Sequence, residues 1–143
     1  MYSRDQRHQP IEEMEVFRLY EEVAKWVWDE VHKWARLDQD TLGKQSIRAA
    51  DSINANLVEG DGRFSDKEAI HHFHIARGSA RETRLNLVRI CDRRLADRGE
   101  SEDALAKLTS ATRLLNNLIR YRKGAISIVR ENVNEDPFAV ELD

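Results

Sequence analysis

Apolar residues recur three or four positions apart along most of the chain, which is the spacing of a helix face rather than of a strand. In the first such stretch, from about residue 12 to residue 37, one stripe is apolar throughout. Its members are Val16, Tyr20, Val23, Val27, Val31 and Trp34. Leu19, Trp26 and Trp28 fall outside this stripe, so the predicted helix has a wider apolar surface than one neighbour can cover.

The next two helices are bounded by residues that typically stop or start helices. The second is predicted over residues 42–59, and Gly60 is expected to end it as a left-handed terminator. Ser65 and Glu68 form a capping box, in which the Ser65 hydroxyl accepts from the Glu68 amide and the Glu68 side chain reaches back. The third helix begins there and continues until Gly99 closes it.

The fourth helix opens at Ser101–Asp103 and continues to about residue 130, with two apolar stripes. Two stripes indicate two covered faces, as on the first helix. The apolar residues outside the main stripes of helices one and four are therefore predicted to contact other copies of the chain. They are Leu19, Trp26, Trp28, Leu114, Leu118 and Tyr121.

Four helices joined by short polar breaks predict an all-α fold, an antiparallel up-down-up-down four-helix bundle over residues 12–133. A chain of 143 residues needs only one core, so we expect a single domain. Residues 1–11 are expected to form a flexible N terminus. Residues 134–143 are an acidic C-terminal tail, for which disorder is favoured and docking on a neighbour is the alternative.

Composition narrows the class of protein further. The chain contains only 6 Gly and 2 Pro, which agrees with long helices and few turns. The single cysteine, Cys91, excludes an internal disulfide and a zinc site built on cysteines. No apolar run is long enough for a membrane span, and no signal peptide follows Met1. A cytoplasmic protein is therefore expected.

Charge is segregated along the sequence. Residues 77–130 carry 13 Lys or Arg against 6 Asp or Glu, while the segments before and after this stretch are acidic. A row of cations on one helix face can neutralise nucleic-acid phosphates. The alternative is a solvated face paired with the acids of helix one. The candidate nucleic-acid-binding residues on helices three and four are Arg77, Arg81, Arg84, Arg113, Arg120, Lys123 and Arg130.

Catalytic and metal chemistry find weaker support. Glu68 and His71, with His72 and His74 beside them, have the spacing of half a di-iron site, but that site needs a second such pair from another helix. We favour the alternative that Glu68 caps a helix and the histidines lie on a surface or interface. An all-helical chain also lacks the strand–helix turn on which hydrolase nucleophiles sit. We expect no catalytic residue, metal or cofactor, and no enzyme activity.

Polar residues cluster around the turn between helices two and three, where they can fix its geometry by hydrogen bonds and ion pairs. An example is Glu59 with Arg63, four positions apart. This structural motif comprises Arg48, Asn56, Glu59, Gly60, Arg63, Ser65 and Glu68.

The same region resembles a known family. The segment Gln45-Ser-Ile-Arg-Ala-Ala-Asp-Ser-Ile53, continuing through Asn54-Ala-Asn-Leu-Val-Glu-Gly60-Asp-Gly-Arg63-Phe-Ser65, is similar to the signature of the bacterial four helix bundle protein family. Its members include proteins encoded in intervening sequences of large-subunit ribosomal RNA genes, many with a ribosomal-protein-like label. The match continues through Ile75-Ala-Arg-Gly-Ser79.

The resemblance implies a four-helix bundle that assembles as a ring-like homopentamer. A more distant similarity is to the accessory protein of diversity-generating retroelements, which partners a reverse transcriptase and nucleic acid through a basic surface. By that resemblance, the cation stripes of helices three and four are where a partner docks. The present chain departs from the accessory protein because its net charge is −3.

Taken together, the sequence predicts a non-enzymatic homo-oligomeric adaptor that binds RNA or a ribonucleoprotein through a basic helix 3/helix 4 face, with no membrane partner. The competing prediction is a protein–protein scaffold that binds no nucleic acid.

Overall fold

A computed structural model describes residues 9–124 and 136–139, and this part of the chain is helical, without a strand. Its four long helices are α1 (Glu15–Val31), α2 (Lys44–Asp61), α3 (Asp66–Asp92) and α4 (Arg98–Arg122). A 3-10 turn, Ile11–Glu13, precedes α1. A single helical turn and a wider π turn, together spanning residues 36–43, connect α1 to α2.

Each long helix packs against the next, and α4 packs against α1, so the four helices enclose one core. The Asn54 side chain of α2 donates to the Phe17 carbonyl of α1 over 3.0 Å. Between α1 and α4, the hydroxyl oxygens of Tyr20 and Thr112 are 2.8 Å apart. The prediction of an all-α bundle of four helices is confirmed.

The predicted apolar stripe of α1 faces this core. Val16, Tyr20, Val23, Val27 and Val31 are all buried, as their spacing predicted. These residues stabilise the fold through the hydrophobic effect, because folding removes their apolar side chains from water.

Tyr20 brings a polar group into the interior and satisfies it there. The Thr112 hydroxyl donates to the Leu108 carbonyl over 2.8 Å, so the Tyr20 hydroxyl is the donor to Thr112. Burial raises the pKa of the Tyr20 phenol well above its usual range, so this group stays protonated and remains a donor.

Gly60 does not end α2, contrary to the sequence prediction. It lies inside the helix, in its last turn, and it is buried. A Cβ atom at this position would lie 2.9 Å from His72 Cβ, 2.9 Å from Phe73 Cε1 and 3.0 Å from the Ala69 carbonyl oxygen. The glycine is needed because α2 and α3 approach closely here, and not for a left-handed conformation.

The junction between α3 and α4 also differs from the prediction. The third helix ends at Asp92, and the residue in left-handed conformation there is Arg94, with φ 56°. Asp97 caps α4, since its carboxylate accepts from the Glu100 amide over 3.0 Å. Gly99 therefore lies in the first turn of α4 and does not close α3.

The described part of α4 ends earlier than predicted, at Arg122. Gly124, two residues further, has φ 78°, a conformation that glycine adopts without strain. The predicted continuation to residue 130, like the N-terminal residues 1–8, lies outside the described residues. Among the described residues, no helix is long and apolar enough to span a lipid bilayer.

The close approach at Gly60 generates a stability prediction. We expect Gly60→Ala to destabilise the fold by about 1–3 kcal/mol, because the added methyl overpacks the α2–α3 contact. Chemical denaturation followed by circular dichroism measures this difference. The matched control is Gly78→Ala in α3, where an added Cβ meets no atom within 4 Å. This control is expected to stabilise by about 0.5–1 kcal/mol, and equal destabilisation by both variants would contradict the packing argument.

Candidate nucleic-acid interface

The cation stripes of α3 and α4 meet along the seam between these two helices. Arg77 Nη1 of α3 donates to Asn116 Oδ1 of α4 over 2.9 Å. Asn116 lies between Arg113 and Arg120 in the sequence and on the same side of α4 at 100° per residue. The contact therefore places the two stripes next to each other on one face, which we call the basic seam.

The individual cations of the basic seam are exposed to different degrees. Arg81 and Lys123 are exposed, whereas Arg113 and Arg120 are partly buried. The Arg120 guanidinium donates to Asn117 Oδ1 over 3.3 Å. The remaining predicted cation, Arg130, lies outside the described residues.

Part of the acidic tail occupies one end of this seam. Asp136 Oδ1 is 3.1 Å from Arg84 Nη1, and the Arg84 guanidinium lies 4.4 Å from the centroid of the Phe138 ring. Phe138 is only 3% exposed. The prediction of a disordered tail is wrong for residues 136–139, because an aromatic side chain and a carboxylate there find complementary partners on the bundle.

An open depression of about 710 Å³ adjoins the seam on the outer side of α3. Gly78, Arg81 and Glu82 line it together with the exposed apolar residues Leu85 and Val88. The mixture of apolar and charged side chains suits a macromolecular contact better than a small polar ligand.

The structure places part of the predicted turn motif at the α2–α3 junction. The Ser65 hydroxyl accepts from the Glu68 amide over 3.1 Å and caps α3. Glu59 and Arg63 form an ion pair on the surface, where such pairs contribute little to stability. Arg48, in contrast, is an exposed residue of α2.

Asn56 belongs to a polar contact between α2 and α3. Its amide donates to the Ser52 carbonyl over 2.8 Å and to the Ser52 hydroxyl over 3.1 Å. The Ser52 and Ser79 hydroxyl oxygens are 2.9 Å apart, which joins the two helices. These contacts are structural, since they satisfy polar groups within the bundle.

The sequence analysis missed the buried ion pairs of Arg122. This guanidinium is 3.1 Å from an Asp61 oxygen and 3.1 Å from an Asp66 oxygen, and its side chain is 3% exposed. Asp61 also accepts from the Ile11 amide over 3.1 Å. One signal was available: Arg122 follows Leu115 and Ile119 at core spacing, where a cation needs a buried partner.

The histidines near Glu68 do not form a metal site in the described residues. His71 and His72 lie edge to face, with their ring centroids 5.6 Å apart. Over residues 9–124 and 136–139, no group of three or more His, Cys, Asp or Glu side chains is arranged to hold a metal ion.

Comparison with protein-family models identifies a match. A family model described as 23S rRNA-intervening sequence protein matches residues 12–117, which is most of the chain and includes nearly all of the four helices. A search of curated proteins finds no match.

The Arg122 ion pairs generate a second stability prediction. We expect Arg122→Ala to destabilise the fold by about 3–5 kcal/mol, because it leaves Asp61, whose side chain is only 14% exposed, without its cation. The double variant Asp61→Asn/Arg122→Met should recover part of this loss. The side-chain amide oxygen at position 61 can still accept the hydrogen bond from the Ile11 amide. The exposed Arg98→Ala variant is the control and should change stability by less than about 1 kcal/mol. Equal losses for Arg122→Ala and Arg98→Ala in urea denaturation would contradict this assignment.

Proposed function

Since this chain belongs to the 23S rRNA-intervening sequence protein family, we propose that it is a non-enzymatic, homo-oligomeric adaptor that binds RNA or a ribonucleoprotein through the basic seam. The earlier resemblance to that family is confirmed by the match. The family description itself points to an association with ribosomal RNA, and the bundle supplies a surface of suitable charge.

The contact between Arg77 and Asn116 is the observation that carries the proposal. It brings two rows of cations from different helices to one face, although the whole chain has a net charge of −3. Phosphate groups bind arginine and lysine with an affinity that depends strongly on salt. The seam gathers guanidinium and carboxamide groups, whose chemistry suits binding rather than bond cleavage.

We further propose that the helices run antiparallel and that copies assemble, as a homopentamer by family resemblance. Trp28 is 52% exposed and Tyr121 is 69% exposed, and large apolar groups at such exposure are typical of surfaces that meet a partner. The six residues predicted at this interface differ in exposure. Leu19, Trp26 and Leu118 pack partly against the chain's own core, which leaves Trp28, Leu114 and Tyr121 as the exposed members.

A protein–protein scaffold without nucleic acid is the second candidate function. Leu37 is 75% exposed in the connection between α1 and α2, and Trp28 lies nearby in the sequence at the end of α1. Leu37 favours a protein partner over RNA, because an aliphatic side chain neither pairs with phosphate nor stacks on bases as an aromatic ring does.

The RNA proposal predicts a specific loss of affinity. Arg113→Glu/Arg120→Glu/Lys123→Glu should weaken binding to a structured 23S ribosomal RNA fragment at least tenfold at about 0.1 M salt, because each phosphate contact contributes several-fold in affinity there. Fluorescence anisotropy at several salt concentrations measures both the affinity and its salt dependence.

The control variant makes the same change in net charge, but in the N-terminal half of the chain and outside the basic seam. Lys25→Glu/Arg36→Glu/Lys44→Glu replaces three exposed cations of the acidic N-terminal half. The proposal fails if both triple variants lose affinity equally, or if the unmodified chain shows no salt-sensitive binding at micromolar concentration. A protein recovered with the chain after nuclease treatment, without RNA binding, would instead favour the scaffold.

Assembly makes a separate prediction. The unmodified chain should sediment as an oligomer, and Trp28→Glu/Tyr121→Glu should shift the mass toward a single chain, because each charge would be buried at an interface. Analytical ultracentrifugation measures this, and Lys25→Glu is a control on the same helix as Trp28. A folded single chain at high concentration of the unmodified protein would refute the assembly proposal.

A further inference from the structure

Residues 136–139 form a compact turn against the bundle. Asp136 accepts from the Phe138 amide through its side chain over 2.9 Å, and from the Ala139 amide through its carbonyl over 3.2 Å. Pro137 fixes its own φ, so the turn has few alternative conformations to lose when it docks. The sequence Asp-Pro-Phe thus presents a carboxylate and an aromatic ring in a defined geometry.

Two polar side chains of the bundle contact this turn, and its Phe138 ring is buried in the hydrophobic core. Arg84 of α3 makes both an ion pair with Asp136 and a cation–π contact with the Phe138 ring. Asn116 of α4 donates to the Pro137 carbonyl over 2.8 Å. Asp136, Pro137 and Phe138 are therefore each contacted through a different chemical feature.

The orientation of the Asn116 amide is determined by its neighbours. Arg77 is a pure donor, so the atom it contacts at 2.9 Å must be the amide oxygen. The NH₂ group consequently points at the Pro137 carbonyl. A carbonyl is an acceptor only. Arg77 therefore holds the Asn116 side chain in the orientation in which its NH₂ group donates to a peptide carbonyl.

We infer that the seam between α3 and α4 is a peptide-recognition site for an Asp-Pro-Phe segment, and that the chain's own residues 136–139 are its tethered ligand. Arg84, Asn116 and Arg77 form the polar part of the site, and the hydrophobic core of the bundle, in which the Phe138 ring is buried, forms its apolar part. One consequence rests on the proposed function: a docked tail and an RNA phosphate compete for Arg84, so the tail lowers the affinity of the seam for RNA.

The first experiment tests the peptide site without RNA. A labelled peptide with the sequence of residues 134–143 is titrated with the full-length chain and with its Asp136→Asn/Phe138→Ala variant, and anisotropy is recorded. The variant should bind the peptide at least tenfold more tightly than the unmodified chain, because its own segment no longer fills the site. The matched control is Leu142→Ala/Asp143→Asn, which makes the same charge change and also shortens one apolar side chain, outside the docked turn.

Variants on the other side of the contact complete this test. Adding Arg84→Ala to the tail variant should reduce peptide binding at least tenfold, and Arg84→Lys should restore only part of it, since lysine lacks the planar group that stacks on the ring. Circular dichroism and thermal melting verify that each variant is folded. Failure of the tail variant to bind the peptide, or equal binding with and without Arg84, would overturn the inference.

The second experiment addresses competition. At one salt concentration, Asp136→Asn/Phe138→Ala should bind the 23S ribosomal RNA fragment several-fold more tightly than the Leu142→Ala/Asp143→Asn control. Equal RNA affinities for these two variants would overturn the competition. Absence of RNA binding by every variant would refute the proposed function, while the peptide titration would still decide whether the recognition site exists.

Discussion

The buried guanidinium of Arg122 is the constraint on which the end of the bundle depends. Removing a cation from water costs several kcal/mol of free energy unless acidic groups lie next to it. Asp61 at the end of α2 and Asp66 at the start of α3 are these acidic groups. Asp61 also holds the Ile11 amide ahead of α1. The adjoining ends of α2, α3 and α4 therefore meet at this one charge, and Asp61 links it to the turn ahead of α1. With the α2–α3 turn fixed in this way, Gly60 permits close contact with α3, and α3 in turn presents Arg77 to Asn116.

Much of the fold could be predicted from the sequence, because helix periodicity is a local signal. The α1 stripe and the Ser65 cap follow from spacing and from residue type at one position. The role of Gly60 could not be obtained in the same way, because a glycine near a helix end has two explanations, backbone conformation and close packing. Only the position of His72 and Phe73 distinguishes them.

In the candidate site, too, local features could be predicted from the sequence and long-range contacts could not. Helical spacing groups Arg77 with Arg84 and Arg113 with Arg120, but it does not say that the two rows are adjacent. That adjacency depends on which faces of α3 and α4 meet, a long-range property that no local pattern contains. Docking of the tail was only the alternative to disorder in the sequence analysis, for a related reason. No local pattern identifies the partner of Asp136 and Phe138, because Arg84 lies more than fifty positions earlier in the sequence.

The short covalent connection between α4 and the docked turn has a quantitative consequence. Only residues 125–135 separate Gly124 from Asp136, and a tether of this length gives a local concentration on the order of 1 mM. An intrinsic dissociation constant of about 0.1 mM would then keep the peptide-recognition site about nine-tenths occupied. The same peptide supplied from solution at about 1 μM would fill only about one-hundredth of these sites. Weak individual contacts are thus sufficient for near-complete occupancy in cis, and they still allow rapid release.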